Sequence, residues 1–250
     1  MRDMTEDPPN GTQSHYDRFL AEQYLWMSGG FDHNLRKNRH FFASHHLVPQ
    51  STHTAIDLGA GCGFQAIPLA EAGFSVIAVD FCRPLLAELR ARAGTLPINC
   101  IAADIFDFMA WTSRHPELIV CMGDTLTHLP DLDAVRHLIR QCHDELGPGG
   151  KLVLTLRNYS MEPEGSVVVI PVRRDADRIF LCRLEYDKRT ISVTDILVSR
   201  KTGQWERTAS DYTKLRVAPD DLVLMVADAG FGIVFFESED GLITIIAERA

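Results

Sequence analysis

Short apolar runs alternate with amphipathic segments through the middle of the chain. The apolar runs are rich in β-branched residues and predict five strands, at Thr54–Leu58, Ser75–Val79, Ile98–Ala102, Glu117–Met122 and Lys151–Leu156. Between them, apolar residues recur at helical spacing, which predicts helices over Gln65–Ala72, Pro84–Ala93 and Asp131–Leu146. Strands that alternate with helices in this way are typical of a parallel sheet with helices on both faces.

The pattern changes after the fifth predicted strand. Four apolar runs follow one another across polar turns, at Val167–Val172, Arg178–Glu185, Thr190–Ser199 and Trp205–Leu215. With no helical segment between them, they predict an antiparallel insertion. A helix over Pro219–Ala229 and a hairpin of two strands, Gly232–Glu237 and Leu242–Glu248, follow. We therefore expect an α/β fold: a doubly wound, seven-stranded, mostly parallel sheet that ends on one antiparallel strand, with an antiparallel β insertion after strand five.

These elements divide the chain into five segments. Residues 1–13 are polar and acidic and predict a flexible tail, and residues 14–47 predict a helical lid. Residues 48–160 form the predicted ligand-binding core, residues 161–215 the insertion, and residues 216–250 the helix and hairpin that complete the core. We expect the insertion to act as a substrate lid, because segments carried on a rigid scaffold often determine specificity.

Composition and charge exclude several classes of protein. The 250 residues carry a net charge of −9 without a basic run, which disfavours a nucleic-acid substrate. The six cysteines form no C-x-x-C pair, so neither a disulfide framework nor a metal site is expected. We find no signal-peptide pattern and no run long enough to span a bilayer, and expect a cytoplasmic protein with a small-molecule substrate and no membrane partner. The oligomeric state is left open.

A glycine-rich turn joins the first predicted strand to the first helix. The residues are Asp57-Leu58-Gly59-Ala60-Gly61-Cys62-Gly63. Glycines let the backbone turn sharply and approach a ligand, and a helix N-terminus offers free N–H groups. A dinucleotide site requires glycine where this chain has Phe64, which disfavours a nicotinamide dehydrogenase. A tight turn without a ligand is the alternative.

Acidic residues follow the next two predicted strands. Asp80 ends the second strand and Asp104 follows the third. At the carboxyl edge of a doubly wound sheet, Asp80 is placed to accept hydrogen bonds from ribose hydroxyls and Asp104 from an adenine amine. Each could instead cap the next helix. Together with the glycine turn they predict a nucleoside site.

The glycine turn and the two acids resemble the signature of class I S-adenosylmethionine-dependent methyltransferases. The resemblance covers about Thr54–Leu156, and the terminal hairpin also resembles that Rossmann-like fold. It implies S-adenosyl-L-methionine as the cofactor. The implied cofactor contacts are Asp57, Gly59, Gly61 and Gly63 at the turn, Asp80 with Phe81, Asp104 with Ile105, and Met122 with Gly123. Arg39, or Arg36, on the lid would meet the methionine carboxylate.

Two further segments resemble glycine and sarcosine N-methyltransferases. They are Met122–Asp131 and the Leu156-Arg157-Asn158-Tyr159 run. The resemblance implies that Arg157 grips an anionic group of a small acceptor. That family usually has asparagine where this chain has Asp124, and a carboxylate would repel an anion. Our hypothesis is that Asp124 faces an amine, hydroxyl or cationic group of the substrate; capping of the following turn is the alternative.

The remaining candidates surround the expected acceptor. His128 is the candidate general base, alongside Asp124, although a structural histidine is the alternative. The candidate substrate contacts are Tyr16, Tyr24 and Trp26 on the lid, Arg157 and Tyr159 after strand five, and Tyr212 on the insertion. We expect methyl transfer to a nitrogen. The alternatives are O- or S-methylation of a small metabolite, and a protein that binds the cofactor without catalysis.

Overall fold

The computed structural model describes residues 11–112, 115–201 and 203–250. The helices are α1 Gly11–His15, which continues as a π-helical turn Tyr16–Leu20, α2 Ala21–Met27, α3 Phe31–Ser44, α4 Ala66–Glu71, α5 Arg83–Ala93, α6 Leu132–Glu145 and α7 Pro219–Asp228. Short 3₁₀ turns lie at Ile105–Trp111 and Thr125–His128. The strands are β1 Thr54–Leu58, β2 Ser75–Asp80, β3 Ile98–Ala102, β4 Leu118–Cys121, β5 Lys151–Arg157, β6 Val167–Arg174, β7 Arg178–Tyr186, β8 Thr190–Lys201, β9 Gln204–Leu215, β10 Phe231–Glu239 and β11 Leu242–Arg249.

Seven strands form the main sheet in the order β10-β11-β5-β4-β1-β2-β3. Strands β1 to β5 pair in parallel, and β11 pairs antiparallel with both β5 and β10. This confirms the doubly wound, mostly parallel sheet predicted from the sequence. The expectation that the sheet ends on its antiparallel strand is wrong, because β11 inserts between β5 and β10 and leaves β10 at the edge.

The sheet separates two apolar cores. Alternate residues along β1 point to opposite faces: Ile56 and Leu58 pack with α6 and α7, whereas Ala55 packs with α3, α4 and α5. All three are fully buried. Burial on both faces explains why the central strands are continuous apolar runs.

Strands β6 to β9 form a separate antiparallel sheet, as predicted for the insertion. The N-terminal helices pack on it through a small core of Leu20, Phe180 and Leu197. Of the predicted tail, residues 1–10 lie outside the described residues, and residues 11–13 are helical because α1 begins at Gly11. Within the described residues, no helix is both long and apolar enough to cross a lipid bilayer.

Candidate functional site

A cavity of about 910 Å³ opens at the carboxyl ends of the parallel strands. Its walls come from the N-terminal helices, the loops after β1 to β5, Val172 of the inserted sheet and the hairpin between β10 and β11. The predicted site residues that line it are Tyr16, Tyr24, Gly59, Gly61, Asp80, Phe81, Asp104, Ile105, Met122, Gly123, His128 and Arg157. The structure thus gathers residues that lie far apart in the chain around one cavity.

The glycine turn forms the floor of the cavity, but its three glycines differ. Gly59 has a φ of 78°, and a Cβ there would collide with the Thr125 side chain, so only glycine fits. Gly61 also lines the cavity. Gly63 does not, because it faces α5, where a Cβ would collide with Leu89. Its place in the predicted cofactor set therefore fails on geometry, and helix packing explains why glycine is needed there.

Asp80 lies in the cavity wall with a fixed carboxylate. The backbone N–H of Gly61 donates to its Oδ2 and that of Cys82 to its Oδ1, both at 2.7 Å. Burial raises the pKa of the carboxyl to about 6, although these two hydrogen bonds oppose the shift. Each oxygen keeps further acceptor capacity toward the cavity, which fits the vicinal hydroxyls of a ribose.

Asp57 lies behind the glycine turn and does not line the cavity. Its carboxyl is buried, and its Oδ2 has no hydrogen-bond partner among the described residues. Burial and the nearby Asp80 raise its pKa to about 8, so the carboxyl is mostly protonated at neutral pH. A direct contact with a ligand, as the sequence suggested, is not available from this position.

Asp104 combines its two predicted roles. Its Oδ1 accepts from the N–H of Phe106 at 3.0 Å and caps the Ile105–Trp111 turn, an element missed in the sequence, while the residue also lines the cavity. Phe81 lines the cavity next to it and meets Tyr16 edge-to-face, with ring centres 5.7 Å apart. An acceptor beside apolar side chains is the arrangement that a purine base requires.

Helix α3 presents a polar face to the cavity that differs from the predicted one. Arg39 points away and pairs with Glu71 through two hydrogen bonds of 2.6 and 2.7 Å. Arg36 is likewise absent from the lining, and Lys37 takes the expected place of an arginine. Lys37 lies with Asn34, Asn38 and Phe41 on one helix face, at the spacing of three and four residues that could have identified it.

Of the three aromatic residues on the lid that were predicted as substrate contacts, two line the cavity and one does not. Tyr16 and Tyr24 line the cavity, and the Tyr16 hydroxyl shares a 3.2 Å hydrogen bond with Nε2 of His128. Trp26, predicted as a substrate contact, lies outside the cavity, because its ring packs against the Arg178 guanidinium of the inserted sheet at 4.2 Å. Trp26 therefore attaches the lid to the insertion.

His15 anchors the first helix to the inserted sheet. Its buried ring lies 3.2 Å from Oδ2 of Asp195 and bonds Ser210 at 2.9 Å, both on the inserted sheet. It also stacks on Tyr212, with ring centres 4.2 Å apart. Tyr212, predicted to reach the substrate, is held behind the cavity wall by this stack.

Asp124 is enclosed by protein groups and does not line the cavity. Its Oδ1 accepts from the N–H of Arg157 at 3.0 Å, and its Oδ2 accepts from the Tyr159 hydroxyl at 3.1 Å and from Nζ of Lys214. The structure contradicts the hypothesis that Asp124 faces an amine, hydroxyl or cationic group of the substrate, because Arg157, Tyr159 and Lys214 occupy its carboxylate. The side chain does not cap the following turn either. Tyr159 is buried in the same cluster and does not touch the cavity.

Lys214 could not be found from local sequence. It lies in β9, and only the fold of the insertion brings it to Asp124. Burial and the Lys214 ammonium lower the pKa of His128 to about 3, against the opposing effect of Asp124. His128 is therefore neutral at physiological pH, and within the described part of the chain its buried Nδ1 has no hydrogen-bond partner.

The open side of the cavity carries unpaired charge. The Arg157 side chain makes no hydrogen bond or ion pair with the described residues. The adjacent hairpin, whose Leu242 pairs with Arg157, contributes Glu237, Glu239 and Asp240. Among the described residues, no group of three histidine, cysteine or carboxylate side chains is placed to hold a metal ion.

The amino-acid sequence is similar to those of known methyltransferases. Residues 55–150 match a family described as a methyltransferase domain. Over 155 residues the chain is 29% identical to a ubiquinone biosynthesis O-methyltransferase of Xanthomonas axonopodis pv. citri, covering 60% of this chain and 63% of the relative. Over 110 residues it is 29% identical to a glycine/sarcosine N-methyltransferase of Halorhodospira halochloris, covering 42% and 40%. The matches thus span only part of these relatives.

The fold has relatives among solved structures. The structure of CalS10 with bound S-adenosylmethionine, an amino pentose methyltransferase from Micromonospora echinaspora involved in calicheamicin biosynthesis, superposes with a TM-score of 0.71. The match covers 92% of this chain and 96% of that one at 18% identity. At this identity the likeness shows that the fold is shared.

Proposed function

We propose that the chain transfers a methyl group from S-adenosylmethionine to a nitrogen of a small molecule, and the match of residues 55–150 to a methyltransferase domain supports this. The observation that carries the proposal is the charge order of the cavity. Lys37 on α3 lines the cavity without an ion pair to any described residue, and Asp80 and Asp104 line it from the strand ends that follow the glycine turn. This order matches a ligand with a carboxylate at one end and a nucleoside at the other.

Different residues of the cavity would bind different parts of the cofactor. Lys37 would hold the methionine carboxylate, Gly59 and Gly61 would approach its backbone, Asp80 would accept from the ribose, and Asp104 from the adenine. When bound, S-adenosylmethionine supplies an electrophilic methyl group on a sulfonium. Tyr16 and Tyr24 cover the cavity from the lid, and they would exclude water and align the acceptor.

A nitrogen acceptor is favoured by the state of His128. An oxygen acceptor needs a base to remove its proton, whereas a free amine can attack without one. With a pKa lowered to about 3 by burial and Lys214, and with Nε2 bonded to Tyr16, His128 is a weak base. In this proposal His128 positions the acceptor and does not remove its proton. Likeness to both N- and O-methyltransferases keeps O-methylation as the second candidate.

Arg157 is the proposed handle for the acceptor. Its guanidinium lines the cavity without an ion pair to the described residues, and it has the geometry to bind a carboxylate or phosphate with two hydrogen bonds. With Asp124 neutralised by Lys214, no other charge from the Gly123–His128 segment competes for that group.

Two measurements test the proposal. Calorimetric titration with S-adenosylmethionine and with NAD should give binding of the first only, and absence of binding would overturn it. Incubation with methyl-labelled cofactor and panels of amines, phenols and thiols should label an amine. Preferential labelling of phenols would favour the O-methyltransferase candidate. If phenol labelling were then lost in the His128→Gln variant, His128 would be the general base.

A further inference from the structure

A buried ion pair links the inserted sheet to the carboxyl edge of the main sheet. Nζ of Lys214 on β9 donates to Oδ2 of Asp124, the second residue after Met122, and to the Tyr159 hydroxyl at 3.2 Å. Lys214 is 9% exposed and Asp124 6% exposed. Removal of one partner from such a pair leaves an uncompensated buried charge, so the two residues depend on each other.

Asp124 lies in an unusual backbone conformation. Gly123 and Asp124 both have positive φ, 80° and 105°, in a turn that reverses the chain after β4. The turn is held because the Asp124 carboxylate bonds the N–H of Arg157 on β5, while its backbone carbonyl accepts from Thr127. Lys214 is the cation that makes this inward-facing carboxylate tolerable.

The turn carries three groups into the cavity wall. Gly123 lines the cavity directly, Thr125 packs against Gly59 of the glycine turn, and His128 bonds the lid through Tyr16. Lys214 donates hydrogen bonds to Asp124 and Tyr159, and its ammonium lies 5.8 Å from the centre of the Tyr212 ring; none of these three residues lines the cavity. Apart from the charge that lowers the pKa of His128, Lys214 therefore reaches the cavity wall, within the described residues, through the turn.

We propose that Lys214 is a positioning residue. Through Asp124 it fixes the Gly123–His128 turn, and with it the part of the cavity wall that would contact the methyl acceptor. The proposal rests on the proposed function for its catalytic consequence. In this chain the aspartate–lysine pair spans the two sheets.

The test compares Lys214→Met, Asp124→Asn and the double variant, with Lys188→Met as a control on an exposed turn of the same sheet. Binding of S-adenosylmethionine is measured by calorimetry. The ring signals of His128 are followed by NMR on ¹⁵N-histidine-labelled protein, with His128→Gln for assignment. Values of kcat and KM are measured with the amine that the panel identifies.

Each single substitution should shift the His128 signals and lower kcat by about tenfold to a hundredfold, since small displacements at a reacting site cost that much. Cofactor affinity should stay within about threefold, because neither residue lines the cavity. The double variant should return the signals and most of kcat. Its asparagine can still accept from Arg157 and tolerates positive φ.

Two results would overturn the proposal. In the first, Lys214→Met leaves the His128 signals in place. In the second, the double variant restores those signals but not kcat, which would make Lys214 a direct charge on the acceptor. If Lys214→Met does not fold, Asp124→Asn and the double variant still decide. Failure of the wild type to bind S-adenosylmethionine would overturn the proposed function, whereas the NMR result would still judge the positioning role.

Discussion

Asp80 and Asp57 lie on either side of the glycine turn, and burial shifts the pKa of each carboxyl upward by a different amount. Asp80 is ionised at neutral pH and reaches the cavity, while Asp57 is mostly protonated and lies behind it. Two neighbouring aspartates therefore offer one acceptor for a ligand and one group that affects stability.

For Asp80 we expect cofactor binding to weaken as pH falls through about 6, by up to about tenfold per pH unit, because the ionised carboxylate is the acceptor. Asp80→Asn should weaken binding about tenfold to a hundredfold at pH 7.5 and remove this pH dependence. Calorimetry from pH 5 to 8 measures both. Asp133→Asn, on an exposed helix position, is the control. An Asp80→Asn variant that binds like the wild type would contradict the assignment.

For Asp57 the pH dependence concerns folding. Its pKa is raised to about 8, so between about pH 4 and 8 the folded protein holds a proton that the unfolded chain releases. This lowers the free energy of unfolding as pH rises through that window. Asp57→Asn should therefore stabilise the protein more at pH 8 than at pH 5, as measured by urea unfolding. An equal effect at both pH values, or the same trend in the exposed Asp104→Asn variant, would refute this account.

At the residue scale, the sequence predicts the positions of those residues that nearby strands and turns place. Asp80 and Gly59 follow directly from strand ends and a turn that are visible in the apolar pattern. Lys214 could not be predicted, because its partner depends on how the inserted sheet packs against the core. The glycine motif suggests a ligand contact for Asp57, because a motif identifies neighbouring residues but not the direction in which a strand residue points.

At the scale of elements, helix α3 shows that the helix face on which a cation lies decides whether it reaches the cavity. Lys37 faces the cavity, while Arg39, two residues later, lies on another face and pairs with Glu71. Residues two apart on a helix do not share a face. The sequence predicted a cation on this helix but not the position that carries it.

Lys37 and Arg39 lie on the same helix, so a substitution of Arg39 is the matched control for a substitution of Lys37. Lys37→Met should weaken S-adenosylmethionine binding about tenfold to a hundredfold, through loss of a charged hydrogen bond to the carboxylate. Arg39→Met should leave the affinity within about twofold, because a surface ion pair contributes little. Calorimetry on both variants checks this. The reverse order of effects would restore Arg39 as the cofactor contact.

At the scale of the whole molecule, the cavity belongs to no single segment. The lid helices, the main sheet and the inserted sheet each contribute to its wall. His15 and Lys214 join the segments through buried polar contacts. The number and kind of elements were predictable from the apolar pattern, but these contacts were not, because they depend on side chains far apart in sequence.

A ligand that touches all three segments should stabilise the whole fold. With S-adenosylmethionine at about 100 times its Kd, the free energy of unfolding should rise by about 2.7 kcal/mol. For a chain of this size that raises Tm by about 5–10 °C. Thermal unfolding with S-adenosylmethionine, and with NAD as the control, measures the shift. A shift with NAD alone, or a change confined to one of two separate transitions, would contradict a shared cavity.

The position of β11 between β5 and β10 has a consequence for biosynthesis. Among the strands of the described residues, β10 pairs only with β11, yet β10 is translated before β11. Until β11 has been translated, β5 is an uncovered sheet edge and β10 has no partner, so the nascent chain holds an open, apolar edge of the kind that promotes aggregation. The hairpin acids in the cavity wall also reach their places only at that step. A ribosome stalled before β11 would therefore display a chain that depends on chaperones and has an incomplete cavity.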